Sequence, residues 1–166
     1  MAYGAKGDES WMESKGPDRY RRGLYIHFQR ATPYPLLMNF DAPKSVVAQC
    51  RRDRSNTALQ ALNLLNDPVF IEAGTALAYR VLLEQRGVEN RIGAMFEHAL
   101  ARKPTPAESQ RFVASLERFR KMYEADAESA KTLAPAELPE VNRADAAAWV
   151  NAATVLLNLD EFITRE

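Results

Sequence analysis

Two amphipathic helical patterns lie between Asn90 and Tyr123 with a gap between them that leaves room only for a sharp turn, and this constrains the fold more than any other feature of the chain. Ile92, Met95, Phe96, Ala99 and Leu100 recur at i, i+3, i+4, i+7 and i+8 behind Asn90 as a candidate cap. Thr105-Pro-Ala-Glu108 then reads as a capping box with proline at the first helical position, opening a helix that places Phe112, Leu116, Phe119 and Tyr123 on one face. Joined at Arg102 to Pro104, the two helices must turn back on each other as an αα-hairpin, since neither buries its apolar stripe alone.

Helical signals continue on both sides. Ser55 or Asn56 is the expected cap of a helix reaching about Leu65, and Asn66-Asp67-Pro68 closes it and opens the next with Asp67 as N-cap. That next helix runs to about Arg86, ends at Gly87 and turns Phe70, Ala73, Leu77 and Val81 inward. Its small residues Ala73, Gly74, Ala76 and Ala78 allow close approach, so it is expected at the centre. A polar, Ala- and Glu-rich connection with Pro135 and Pro139 leads to a last helix, about Arg143 to Leu157, with Trp149, Ala152, Ala153 and Leu156 inward. Asn158-Leu-Asp160 ends it, and Phe162 is expected to pin the tail.

Upstream, Leu24, Ile26 and Phe28 alternate as in a strand, although Leu24 and Phe28 also share a helical face. Pro33, Pro35 and Pro43 then impose irregular backbone, anchored by Leu36, Leu37, Met38 and Phe40. Residues 1–18 are polar and carry Gly4, Gly7 and Gly16, the composition of a flexible leader. The expected fold is mainly α: an irregular bundle of about five to six helices, forming a single domain over 19–166 with an extended, proline-rich basic N-terminal arm.

Composition narrows the function classes. Hydrophobic residues make up 46% and charged residues 27%, the range of ordinary globular chains. The lone Cys50 forms no internal disulfide, and with only His27 and His98 beside it there is no zinc or haem spacing, so no metal or cofactor is expected in this chain. Ala146 to Leu159 is broken by Asn151 and is too short for a hydrocarbon layer of about 30 Å, so no membrane insertion is expected. Residues 1–18 offer no secretory signal. Net charge is zero, yet 19–54 holds eight Lys or Arg against two acids, whereas 55–166 holds twelve against sixteen. Either this basic arm lies across the acidic body or it meets an external anion.

The motif richest in polar groups is Arg51-Arg-Asp-Arg-Ser-Asn-Thr-Ala-Leu-Gln-Ala-Leu-Asn-Leu-Leu-Asn-Asp-Pro68. At 100° per residue, Asn56, Gln60, Asn63 and Asp67 fall within about 60° of one another, while Leu62 and Leu65 take the other, core side with Leu59 flanking them. Carboxamides on a rigid helix satisfy irregular backbone such as the loop Pro33 to Pro43, or they read a hydroxyl-rich ligand. In the second case Arg51, Arg52 and Arg54 add positive charge at the helix start, where a sulfate, carboxylate or phosphate is favoured. The candidate ligand residues are thus Arg51, Arg52, Arg54, Asn56, Gln60, Asn63 and Asp67.

Other features carry less. Tyr20 to Arg22 with Tyr25 and Phe28 has the basic and aromatic composition of a nucleic-acid surface, but no nucleic-acid motif accompanies it and no nucleic-acid partner is expected. His27 lacks an identified partner for general-base chemistry. Cys50 beside Arg51 and Arg52 is placed for a lowered thiol pKa, although a small half-buried cysteine is usually inert. Asp160-Glu161 reads first as a helix cap and second as a carboxylate pair.

Tyr20-Arg-Arg-Gly-Leu-Tyr, Arg30-Ala-Thr-Pro-Tyr-Pro, Phe40-Asp-Ala-Pro43, the run Arg51 to Phe70, Arg102-Lys-Pro-Thr-Pro and Leu156-Leu-Asn-Leu-Asp-Glu161, in that order, resemble the planctomycete-specific domain number one, domain-of-unknown-function family fifteen fifty-three. The resemblance extends over about residues 14 to 166, and the chain looks like the C-terminal portion of a longer family domain. It implies an exported, periplasmic or cell-surface multidomain protein. The charge split and the shorter N-terminus point to an accessory or interaction module that packs against the preceding domain through the basic arm and the face around Arg51 to Asp67. Haem is implied only for other domains of such a parent, because no Cys-x-x-Cys-His occurs here. A link to carbohydrate follows from neighbouring domains alone. The alternative function is a binding or hydrolytic site for an anionic or hydroxyl-rich, carbohydrate-like ligand around Arg51 to Asp67.

Overall fold

In the computed structural model, residues 16–25, 33–43, 48, 50–51 and 53–164 are described. They are mainly helical, and among them the one β feature is an isolated antiparallel bridge between Leu138 and Val141. Residues 1–15, His27, the apolar pair Ile26 and Phe28 of the expected strand, and Arg52 lie outside the described set. The chain groups into two compact units, Met1–Gln60 and Ala61–Glu166.

The first unit opens with two short 3-10 turns, Gly16–Tyr20 and Gly23–Tyr25, so the described part of the expected strand is a turn instead. Helix α1, Pro35–Asn39, follows, started by proline at its first position. It closes by a Schellman motif in which the Ala42 N–H reaches the Leu37 carbonyl at 2.8 Å and the Asp41 N–H reaches Met38 at 3.2 Å. Asp41 stands at a left-handed φ of 57° in the place glycine usually takes.

Helix α2, Ala58–Asn66, crosses from one unit into the other. Its cap is neither Ser55 nor Asn56. The Gln60 N–H donates to Thr57 Oγ1 at 3.3 Å and the Thr57 N–H donates to Gln60 Oε1 at 3.0 Å, which is a reciprocal capping box.

The second unit is built from α3 (Pro68–Glu84), α4 (Val88–Leu100), α5 (Pro106–Ala125), α6 (Ala127–Leu133), α7 (Arg143–Leu157) and the short α8 (Asp160–Ile163). Asp67 caps α3 by accepting from the Val69 N–H at 2.9 Å, as its sequence requires. Gly87, at φ 85°, turns α3 into α4, a conformation that side chains other than glycine resist. Asn90 is therefore inside α4, where its amide donates to the Arg86 carbonyl, and does not cap it. The Thr105/Glu108 capping box and the α4–α5 hairpin form as expected. The connection after α5 contains a helix that its polar composition concealed: Asp126 caps α6 through Ser129, and Ala130 and Ala134 are buried.

The centre belongs to α7, not α3. Between Ala144 and Leu157 all but three of its residues are buried, and alanine at 146, 147, 148, 152 and 153 lets neighbours approach on every side. α3, α5 and α6 pack around it. In α3, Val81 is buried and Leu77 packs against the core as expected, but the buried side extends over Gly74, Ala78 and Leu82 while Ala73 is exposed, a roll of about 80°. The reason is close approach at Gly74, where a Cβ would lie 2.7 Å from Thr154 Oγ1. Ile92, Met95, Phe96 and Leu116 complete the core, with Phe96 edge-on to Phe112 at 5.1 Å. Arg91 spreads over the buried Trp149 ring at 5.9 Å and donates to the carbonyls of Gln85 and Leu82, where the α3 C-terminus carries partial negative charge.

Candidate functional site

The carboxamide stripe begins at the start of α2, and Gln60 is its best-defined member. It is 4% exposed, and its amide is fully used: Nε2 donates to the Asn39 carbonyl at 2.8 Å and to Ser55 Oγ at 3.1 Å, while Oε1 accepts from Thr57. Ser55 in turn donates its N–H and its Oγ–H to Asp41 Oδ2, each at 2.7 Å. The loop Pro33 to Pro43 is thereby tied to the helix start through Asp41, Ser55 and Gln60. A left-handed aspartate closes α1 and supplies the carboxylate that a glycine lacks.

The other described candidates differ in exposure and engagement. Arg51 is exposed. Arg54 and Asn56 are also exposed, and each is engaged by a partner. Asn63 is half-buried, and Asp67 is occupied as the α3 cap. Arg52 and His27 fall outside the described residues, and Cys50 is exposed. His98 pairs with Glu84, which Arg80 also holds at 2.8 Å; these hydrogen bonds, Arg80 first, lower the Glu84 pKa. Tyr20 and Tyr25 are exposed, with the Arg22 guanidinium 5.7 Å from the Tyr25 ring centre. Among the described residues no group of three or more His, Cys, Asp or Glu is arranged as a metal site, and no helix is long and apolar enough to cross a membrane.

The leucines of α2 reverse the expectation. Leu59, Leu62 and Leu65 are 56%, 55% and 42% exposed, and Val69 just beyond is 47% exposed, whereas Gln60 and Leu64 are buried. The helix is rolled by nearly half a turn from the orientation its apolar count favours. Gln60 explains this, since a side chain that closes the cap and ties the loop must face inward. Beside Val69, an apolar groove of about 470 Å³ runs between α3 and α6, lined by Pro68, Ile71, Ala76, Leu133 and Pro135 among others.

A second polar constellation, missed as a unit by sequence reasoning, lies far along the chain. Arg102 grips Glu108 through NH1 and NH2 at 3.0 and 2.8 Å, and Glu161 through Nε and NH2 at 2.7 and 2.6 Å. Glu108 Oε2 also accepts from the Thr105 N–H at 2.7 Å and from Thr105 Oγ at 2.8 Å. The Arg102 fork, helped by the Thr105 backbone, holds the Glu108 carboxyl down at about 2, and Arg102 likewise lowers Glu161. The two carboxylates push the arginine further up. Asp160-Glu161 is thus neither mainly a cap nor a carboxylate pair: the N-cap of α8 is Leu159, and Glu161 is the far end of an ion-pair bridge that pins the tail. Phe162, expected to do so, is 38% exposed.

The second unit is a set of helices packed around one buried, alanine-rich helix, and Leu62 and Leu65 of α2 stand exposed. The chain belongs to the PSD1 family, described as protein of unknown function (DUF1553), whose match spans residues 2–116. That span starts ahead of residue 14 and ends within α5, so Leu156 to Glu161 lies beyond it. No curated protein and no solved structure matches the chain significantly.

Proposed function

We propose that this chain is an accessory interaction module of an exported, planctomycete-type multidomain protein, docking on the preceding domain through the leucine face of α2. The observation that carries the reading is the exposure of Leu59, Leu62 and Leu65 on a helix whose opposite side is fixed by Gln60. Covering half-exposed leucines contributes roughly 1 kcal/mol or more each, which favours a protein surface over solvent as their neighbour. Saturation of Gln60 by the Pro33 to Pro43 loop supports a scaffolding role for the stripe rather than ligand reading.

The test is Leu62→Asp with Leu65→Asp. Stability of the chain alone should fall by about 1–3 kcal/mol, from the poorer helix propensity of aspartate and the covered half of each leucine. Association with the preceding domain, measured by calorimetry or as domain docking in the full protein, should weaken about ten-fold or more. Undiminished association overturns the reading. Titration with sulfated and neutral oligosaccharides tests the alternative, an anionic or hydroxyl-rich ligand at Arg51 to Asp67; saturable heat abolished by Arg51→Ala would establish it instead.

A further inference from the structure

The last helical turn is held to the body in an unusual way. α8 contributes no buried side chain, and its Phe162 and Ile163 are 38% and 36% exposed. Leu159 before it packs only partly against the core. A double fork from Arg102 to Glu161, formed across 59 residues of chain, ties it to the α4–α5 turn.

The two halves of the Arg102 bridge are not equivalent. Glu108 is six residues away on the same hairpin, and it is itself fixed by Thr105 in the α5 capping box. The guanidinium is therefore held in place whether or not α8 is docked, with its Cζ over the buried Phe96 ring, 5.4 Å from the centroid. Glu161 has no such local support, and its side chain is 46% exposed. Solvent and dissolved ions compete for that half far more than for the other.

We propose that Arg102 is a preorganised receptor and Glu161 its releasable tongue, so that α8 is an ionic strap closing over the Phe96 end of the bundle and opening with rising ionic strength. The hairpin half persists on opening, and the strap half exchanges its carboxylate for water and salt.

Amide exchange on the intact chain tests this, because the Phe162 N–H donates to Leu159 and the Thr164 N–H to Asp160, both at 2.9 Å. Moving from low salt to about 1 M should speed exchange at those two amides roughly five- to ten-fold with α7 unchanged, and Glu161→Gln should do the same at low salt. Arg102→Lys, which keeps the charge but loses the double fork, should also speed them. The proposal is overturned if salt and Glu161→Gln leave both amides at the wild-type rate. It is equally overturned if α7 accelerates alongside them, since opening would then be global unfolding, or if Arg102→Lys exchanges as slowly as wild type.

Discussion

Replacing Gly74 by alanine sets two effects of opposite sign against each other, and the crossing of α3 with α7 decides between them. Inside a helix the change should stabilise by up to about 1 kcal/mol, because alanine loses less backbone entropy than glycine. Here the new Cβ would stand 2.7 Å from Thr154 Oγ1, far inside van der Waals contact, with the Thr154 N and Cα next at 3.5 and 3.6 Å. Thr154 cannot yield easily: it is 7% exposed, β-branched within a helix, and its hydroxyl donates to the Val150 carbonyl at 3.0 Å. Overpacking of this kind costs about 1–3 kcal/mol, so Gly74→Ala should destabilise by roughly 1–2 kcal/mol net. In a chain of this length that lowers Tm by about 2–8 °C. With Thr154→Ala the clashing oxygen is gone and the remaining neighbours lie at ordinary contact distance, so the same substitution should turn neutral or stabilising by up to about 1 kcal/mol. Urea unfolding of the four proteins, followed by circular dichroism, gives the coupling directly, expected near 2 kcal/mol. Additive effects of the two substitutions, or a stabilised Gly74→Ala in the wild-type background, would refute the close crossing.

Gln60→Ala leaves the Asn39 carbonyl and the Thr57 N–H without partners and should cost about 2–3 kcal/mol by thermal unfolding, whereas a ligand-reading glutamine would lose binding at little cost in stability. For Glu108, the folded pKa of about 2 lies below its ordinary 4.5, so its contribution is fully present above 4.5 and is lost as pH falls toward 2. The Tm difference between wild type and Glu108→Gln should therefore hold steady above pH 5 and narrow steadily below it. A difference that stays constant down to about pH 2 would show that the carboxyl is not held by Arg102.

Much of the second unit was legible because its signals are local. A threonine three residues before a glutamate, a proline at the first helical position, and apolar residues three or four apart act within one turn of helix, so α5 and α7 appear where their sequences place them. Thr57 and Gln60 stand at capping-box spacing too, and that signal was available to locate the start of α2. α6 was hidden because only Ala130 and Leu133 mark its inner side, too few for a periodic stripe.

Sequence by itself determined the helical class, the family, the starts of α3 and α5, both ends of α7 and the presence of a polar motif at Arg51 to Asp67. Tertiary structure alone decided how each helix is rolled about its axis, which one lies at the centre, and which distant charges meet. Hydrophobic count marked the leucines of α2 as its inner side, yet a buried glutamine whose side chain bonds Thr57, Asn39 and Ser55 turned them outward. Spacing suggested that α3 faces inward through Phe70, Ala73, Leu77 and Val81; Val81 and Leu77 do, but the absence of a side chain at Gly74 set its approach to α7 and left Ala73 exposed. Glu161 found Arg102 across 59 residues. Periodicity records the chemistry of i to i+4; rotation about an axis and long-range pairing depend on neighbours that only the folded chain supplies.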